Sequence, residues 1–133
     1  MGFSGITSVV RIAVKKDGKI LLIRSCGKAK DSWRIPYRKF NSKINGNLKS
    51  TVGRILEEDY GKQDDMLESL YYIGSSIQKR GTNVSVVYDL VMNCTSGSPT
   101  MTGRKWTNLD SAMRMNIDDA TRNFMEMHLD YLK

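Results

Sequence analysis

The sequence predicts an α+β fold, and three observations predict it. Val- and Ile-rich segments with period-two alternation lie on both sides of a helical segment; that segment repeats its apolar residues every four positions; and the chain ends in a second amphipathic segment. With 133 residues, 40% of them hydrophobic, the chain is expected to form a single domain, residues 1–133, that buries its own core.

The elements follow in order. Residues 6–16 alternate and read as a strand; Asp17-Gly18 is a hairpin turn pair, and residues 19–24 (Lys-Ile-Leu-Leu-Ile-Arg) read as a more deeply buried second strand. Trp33-Arg34-Ile35 is a short strand stopped by Pro36, which has no N–H for a ladder. Residues 37–46 read as an irregular basic loop with the turn pair Asn45-Gly46. A helix is predicted from Leu48 to Tyr60, with Leu48, Val52, Leu56 and Tyr60 as its core-facing row and Gly61 as its C-cap. Strands are expected over 67–78, 84–93 and 105–107, and one helical turn over 109–113. A last helix, 117–132, capped by Asn116, is expected to bury Ala120, Phe124, Met127 and Tyr131, with His128 as a packing residue.

Composition excludes several classes. Two cysteines, Cys26 and Cys94, are too few for a disulfide scaffold and read as reduced thiols of a cytoplasmic protein. Apolar runs are too short for a membrane span, and no secretory leader opens the sequence. One histidine and no Cys/His spacing leave no basis for a zinc site or a Ser–His–Asp set.

The net charge is +7, and it is concentrated. Residues 28–54 carry Lys28, Lys30, Arg34, Arg38, Lys39, Lys43, Lys49 and Arg54 against Asp31 alone, interleaved with Trp33, Tyr37 and Phe40. Cations mixed with aromatics can neutralise phosphates and stack bases; a solvated loop has the same composition.

Arg54-Ile55-Leu56-Glu57-Glu58-Asp59-Tyr60-Gly61 is the most informative stretch. Its acids crowd the helix end that the dipole makes unfavourable for negative charge. Helical spacing places Ile55, Glu58 and Asp59 on one side. Two carboxylates there can hold a hard divalent cation through oxygen, but the third position is a hydrocarbon.

The element order, with Trp33-Arg34-Ile35-Pro36 before the helix and Lys105-Trp106-Thr107-Asn108-Leu109-Asp110 after it, resembles a Nudix hydrolase over nearly the whole chain. The family's box ends in Arg-Glu-U-x-Glu-Glu-x-Gly, where U is a bulky aliphatic residue. Here Arg54, Leu56, Glu58, Asp59 and Gly61 match, while Ile55 replaces the first glutamate. Tyr37 and Arg38 stand where two glycines normally follow the proline, and Gly103 stands where a further acid often precedes the late tryptophan.

The resemblance implies an α/β (α+β) fold: a Nudix-like α/β/α sandwich with a mixed central sheet, a Nudix-type helix and a C-terminal helix. It also implies a pyrophosphohydrolase of nucleoside diphosphate derivatives that depends on Mg²⁺ or Mn²⁺. Glu58 and Asp59 would be the metal ligands and Arg54 their brace, with Arg34, Arg38 and Lys39 meeting substrate phosphates. Ile55 in the glutamate position implies impaired turnover, unless another acid (Glu57, Asp64, Asp65, Glu68 or Asp89) takes its place. The alternative is a catalytically inactive Nudix-like module that binds a nucleotide, RNA or protein partner through its basic 28–54 segment, with no membrane association.

Overall fold

Two residues at positive φ, Asp17 (51°) and Gly18 (77°), turn the first strand back on itself as a two-residue hairpin requires. In the computed structural model, residues 6–25, 32–40, 48–60, 70–93 and 103–132 are described. Strand β1 is Ile6–Lys16 and β2 is Lys19–Ser25; β3 (Ser32–Arg34) and β4 (Tyr37–Phe40) follow before helix α1 (Leu48–Tyr60). The second half holds β5 (Leu70–Arg80), β6 (Asn83–Asn93), β7 (Arg104–Asn108), α2 (Leu109–Arg114), α3 (Asp119–Met127) and α4 (Leu129–Leu132).

The seven strands form one sheet in which β3, β2, β1, β6 and β5 are successive neighbours, β4 pairs with β1 and β7 pairs with β2. The sheet is mixed: β1 and β6 run parallel from Ile6↔Val84 to Lys15↔Asn93, and the other pairs are antiparallel. Because the strand period is two, this register sorts the side chains. Val10, Ile12, Val14, Leu90 and Met92 lie on one face, packed with Val52 and Ile55 of α1. Ala13, Ile20, Leu22 and Val91 lie on the other, packed with Ala112, Phe124, Met125 and Leu132 of the C-terminal helices. Helices thus cover both faces of the sheet, the expected sandwich.

A buried ionic cluster ties the C-terminal helices to the sheet. Arg11 donates through Nε and Nη2 to the two carboxylate oxygens of Asp89, each at 2.7 Å. Its Nη1 donates to Ala120 O (3.1 Å) and Asn123 Oδ1 (3.0 Å). His128 Nε2 lies 2.8 Å from Asp89 Oδ2; a carboxylate only accepts, so the imidazole donates. Arg11, Asp89 and His128 are all buried.

The element order and most boundaries match the sequence expectation, and the differences have physical causes. The segment 37–46, expected to be irregular, begins with β4, because Val9↔Lys39 and its neighbours pair with β1; tertiary pairing overrides weak local propensity. On α1 Thr51, Val52, Ile55 and Asp59 are buried; of the expected 48/52/56/60 row Val52 lies in the core, and the side chains of Leu48, Leu56 and Tyr60 lie outside the described ones. The single helix expected over 117–132 is two. Asp118, not Asn116, caps α3 by accepting from Thr121 N (2.8 Å), and Ile117 bridges to Trp33 instead. The helix breaks at His128, whose side chain serves Asp89. Accordingly Met127 and Tyr131 face outward, while Thr121, Phe124, Met125 and Leu132 face inward.

Asp89→Asn should destabilise the fold by about 3–5 kcal/mol in urea titration, because Arg11 would be left buried without its counter-charge. A loss under about 1 kcal/mol would show that the cluster does not hold the helices to the sheet.

Candidate functional site

Four residues, Tyr37-Arg38-Lys39-Phe40, organise the site. They form β4 because their backbone pairs with β1 in the register Ser8↔Phe40, Val9↔Lys39, Val10↔Arg38 and Arg11↔Tyr37. The strand is anchored just upstream, where Ile12 N donates to Pro36 O at 3.0 Å. Residues directly paired across a sheet share a face. Arg38 therefore joins Val10 on the α1 face, while Tyr37 and Lys39 join Arg11 and Val9 on the opposite face.

On the α1 face Arg38 meets the helix's acidic end. Its Nη2 donates to Glu58 Oε2 at 2.6 Å and lies 3.6 Å from Asp59 Oδ1. The first contact is a charge-assisted hydrogen bond; the second is an ion pair without hydrogen-bond geometry. The two acids differ in setting: the Glu58 side chain is 55% exposed and that of Asp59 only 9%. Asp59 Oδ2 is buried and has no hydrogen-bond partner among the described residues. Arg104 of β7 donates from Nε to the backbone carbonyl of Asp59 at 2.8 Å, so a second guanidinium serves the last turn of α1. Cations from neighbouring strands thus offset the negative end of the helix dipole, which α1 itself leaves without a basic residue.

On the opposite face the strands and α3 enclose a cleft of about 490 Å³, lined by Val9, Arg11, Tyr37, Lys39, Gln78 and Val87 among others. That volume suits a small organic ligand. Arg11 forms its floor, but its charge is spent on Asp89. Lys39 is exposed at the edge and has no acidic partner among the described residues.

The residues singled out from the sequence are thus only partly brought together. Glu58, Asp59 and Arg38 meet. Arg54 is exposed on α1, and among the described residues no ion pair joins it to Glu58, whose carboxylate is on Arg38. Arg34 sits opposite Ile23 in β3, with its guanidinium 5.6 Å from the Tyr37 ring centroid, and Lys39 lies on the cleft side. Of the acids considered as replacements for Ile55, Asp89 is on the far face of the sheet and bound to Arg11 and His128, and Glu57 is exposed. Asp64, Asp65 and Glu68 lie outside the described residues, as do Gly61, Cys26 and Cys94.

Arg11 is not among the residues singled out from the sequence, and Asp89, considered there only as a replacement for Ile55, is its partner instead. The signal was present: each is a lone charge inside an apolar strand, Val-Val-Arg-Ile-Ala and Val-Tyr-Asp-Leu-Val, and a charge there requires a partner.

Mg²⁺ takes about six oxygens in a near-octahedral shell at about 2.0–2.1 Å. Ile55, fully buried in the core cluster, presents only hydrocarbon beside the acids. Arg38 places a positive charge against both carboxylates. The orphaned Asp59 Oδ2 alone invites a cation or a proton. Among the described residues no three of His, Cys, Asp and Glu cluster. As arranged, the side chains do not fit a divalent ion; Arg38 must first leave.

No protein-family model and no curated protein matches the sequence. Solved structures do match the fold. The NUDIX domain of Shewanella oneidensis NrtR, in a cocrystal with ADP ribose, superposes with a TM-score of 0.71 at 16% identity, covering 98% of this chain and 91% of that one. A MutT NUDIX hydrolase from Burkholderia pseudomallei gives 0.68 at 20% identity, covering 94% and 99%. The C-terminal domain of mouse MUTYH, crystallised in complex with human PCNA, gives 0.66 at 16%, covering 94% and 88%. Likeness at such identities is one of fold: the chain is a Nudix-fold protein with an α/β/α sandwich.

Ile55→Glu places a carboxyl where the core has no polar partner for it. It should lower stability by at least about 2 kcal/mol in urea titration. Unchanged stability would mean that position 55 can reach solvent and that the hydrophobe is not required by packing.

Proposed function

We propose that this Nudix-fold protein binds a phosphate-containing nucleotide of the nucleoside diphosphate class and turns it over slowly or not at all. The observation that carries this reading is the cleft beside β4. It offers an aromatic ring (Tyr37) on which a base can stack, apolar walls (Val9, Val87), an amide (Gln78) for the base edge, and the ammonium of Lys39 at the rim for phosphate. The ADP ribose bound by the NrtR domain is a ligand of this class on the same fold.

Impaired turnover is supported by Ile55. Removing a general base costs about 10²–10⁴-fold in rate. Its place in the core makes the loss of that carboxylate part of the packing.

A pyrophosphohydrolase dependent on Mg²⁺ or Mn²⁺, with Glu58 and Asp59 as ligands and Arg54 as brace, is the second reading. The unpartnered oxygen of Asp59 favours it. Nucleic-acid binding draws less support: Arg34, Arg38 and Lys39 do not form one continuous stripe, although much of the basic segment lies outside the described residues.

Calorimetric titration with ADP-ribose should show binding that weakens about tenfold or more in Lys39→Glu and falls with salt. Phosphorus NMR of the same mixture with Mg²⁺ should show no hydrolysis above the buffer rate. Absence of binding would reject the nucleotide reading. Metal-dependent turnover that disappears in Glu58→Gln would install the hydrolase reading in its place.

A further inference from the structure

The Arg38 contacts point to a specific role, and it rests on the phosphate-ligand reading above. We propose that Arg38 is a built-in replacement for a divalent cation: it neutralises Glu58 and Asp59 and presents its remaining donors to the ligand's phosphate, so that anion binding at this site needs no metal.

The placement is the first support. A cation shared by two carboxylates is what a divalent ion would supply, and Arg38 Nη2 already stands 2.6 Å from Glu58 Oε2 and 3.6 Å from Asp59 Oδ1. Its backbone is fixed opposite Val10, so the guanidinium remains tethered near the acids even when the side chain swings. A tethered charge competes with a free ion at high effective concentration.

The donor inventory is the second support. A guanidinium carries five N–H groups in a planar fork. Among the described residues only Nη2 of Arg38 is engaged; Nε and Nη1 have no protein acceptor there. With a third of the side chain exposed, these groups are open to solvent and to an oxyanion. Arginine suits this use because Nε and Nη1 can each donate to an oxyanion while Nη2 stays on Glu58, and its charge persists at any accessible pH.

The route is the third. β4 pairs with β1 on one side, and its other edge has no strand partner among the described residues. Lys39 and Arg38 point to opposite sides of the strand, so on this proposal a nucleotide whose base occupies the cleft would pass around that edge to meet Arg38.

The test is a pair of titrations on the full chain. ADP-ribose and inorganic pyrophosphate are titrated in EDTA and again in excess Mg²⁺; separately, Mn²⁺ binding is followed by electron paramagnetic resonance. The proposal expects the anion affinities of the unmodified protein to differ less than about threefold with and without metal, and no Mn²⁺ binding at about millimolar concentration. Arg38→Ala should weaken both anions about tenfold or more in EDTA and should bind Mn²⁺. Mn²⁺ binding by the unmodified protein, or anion binding that requires Mg²⁺, overturns the proposal while leaving nucleotide recognition standing. Failure of ADP-ribose to bind under either condition removes the nucleotide reading itself. Should Arg38→Ala not fold, the two measurements on the unmodified chain decide the matter, and Arg38→Lys, which keeps the charge but loses the planar fork, serves as the second variant. It should exclude Mn²⁺ and bind pyrophosphate more weakly; Mn²⁺ binding by it would count against the proposal.

Discussion

The register of a four-residue strand governs both halves of the candidate site. Because β4 pairs with β1 as Val10↔Arg38 and Arg11↔Tyr37, successive side chains fall on opposite faces of the sheet. Arg38 is delivered to the acids of α1, and Tyr37 and Lys39 are delivered to the cleft. A slip of one residue would exchange these destinations, placing Arg38 over the cleft and taking its guanidinium away from Glu58 and Asp59. The strand's position is not free to drift: Ile12 N holds Pro36 O just upstream, and Pro36 cannot take part as a donor.

The acids of α1 make sense only together with that strand. An isolated helix with Glu57, Glu58 and Asp59 in its last turns opposes its own dipole, and burying Asp59 adds a desolvation cost. Arg38 and Arg104, from two different strands, offset both effects by meeting the carboxylates and the terminal carbonyl. The exposed Arg38–Glu58 pair contributes little by itself, about 0.2–1 kcal/mol, as is usual for surface pairs. Its significance is positional: it determines which charge occupies the space between two carboxylates. Ile55 completes the picture from below, exchanging a polar position for core packing with Val52, Ile12 and Leu90.

Much of this was readable in the residues. The periodicity of residues 48–60 predicts α1 with the boundaries found, and the Asp17-Gly18 pair predicts the first hairpin, because both signals are local. The partition of Glu58 and Asp59 between solvent and interior was not readable, since it depends on how far α1 is rotated over the sheet. β4 was hidden for a related reason: four residues rich in charge look like a loop until a partner strand pairs with them. The shift of the C-terminal row from Met127 and Tyr131 to Met125, His128 and Leu132 comes from Asp89, far away in sequence, drawing His128 inward. The Arg11–Asp89 pair could be suspected as two isolated charges in apolar strands, but their union required the parallel register of β1 and β6.

The central claim is that the positive charge between Glu58 and Asp59 belongs to Arg38. Anomalous diffraction from crystals grown in Mn²⁺ tests it most directly. Density for the Arg38 guanidinium is expected against both carboxylates, with no anomalous peak between them. A manganese peak bridging the two acids, with Arg38 turned away, would contradict it.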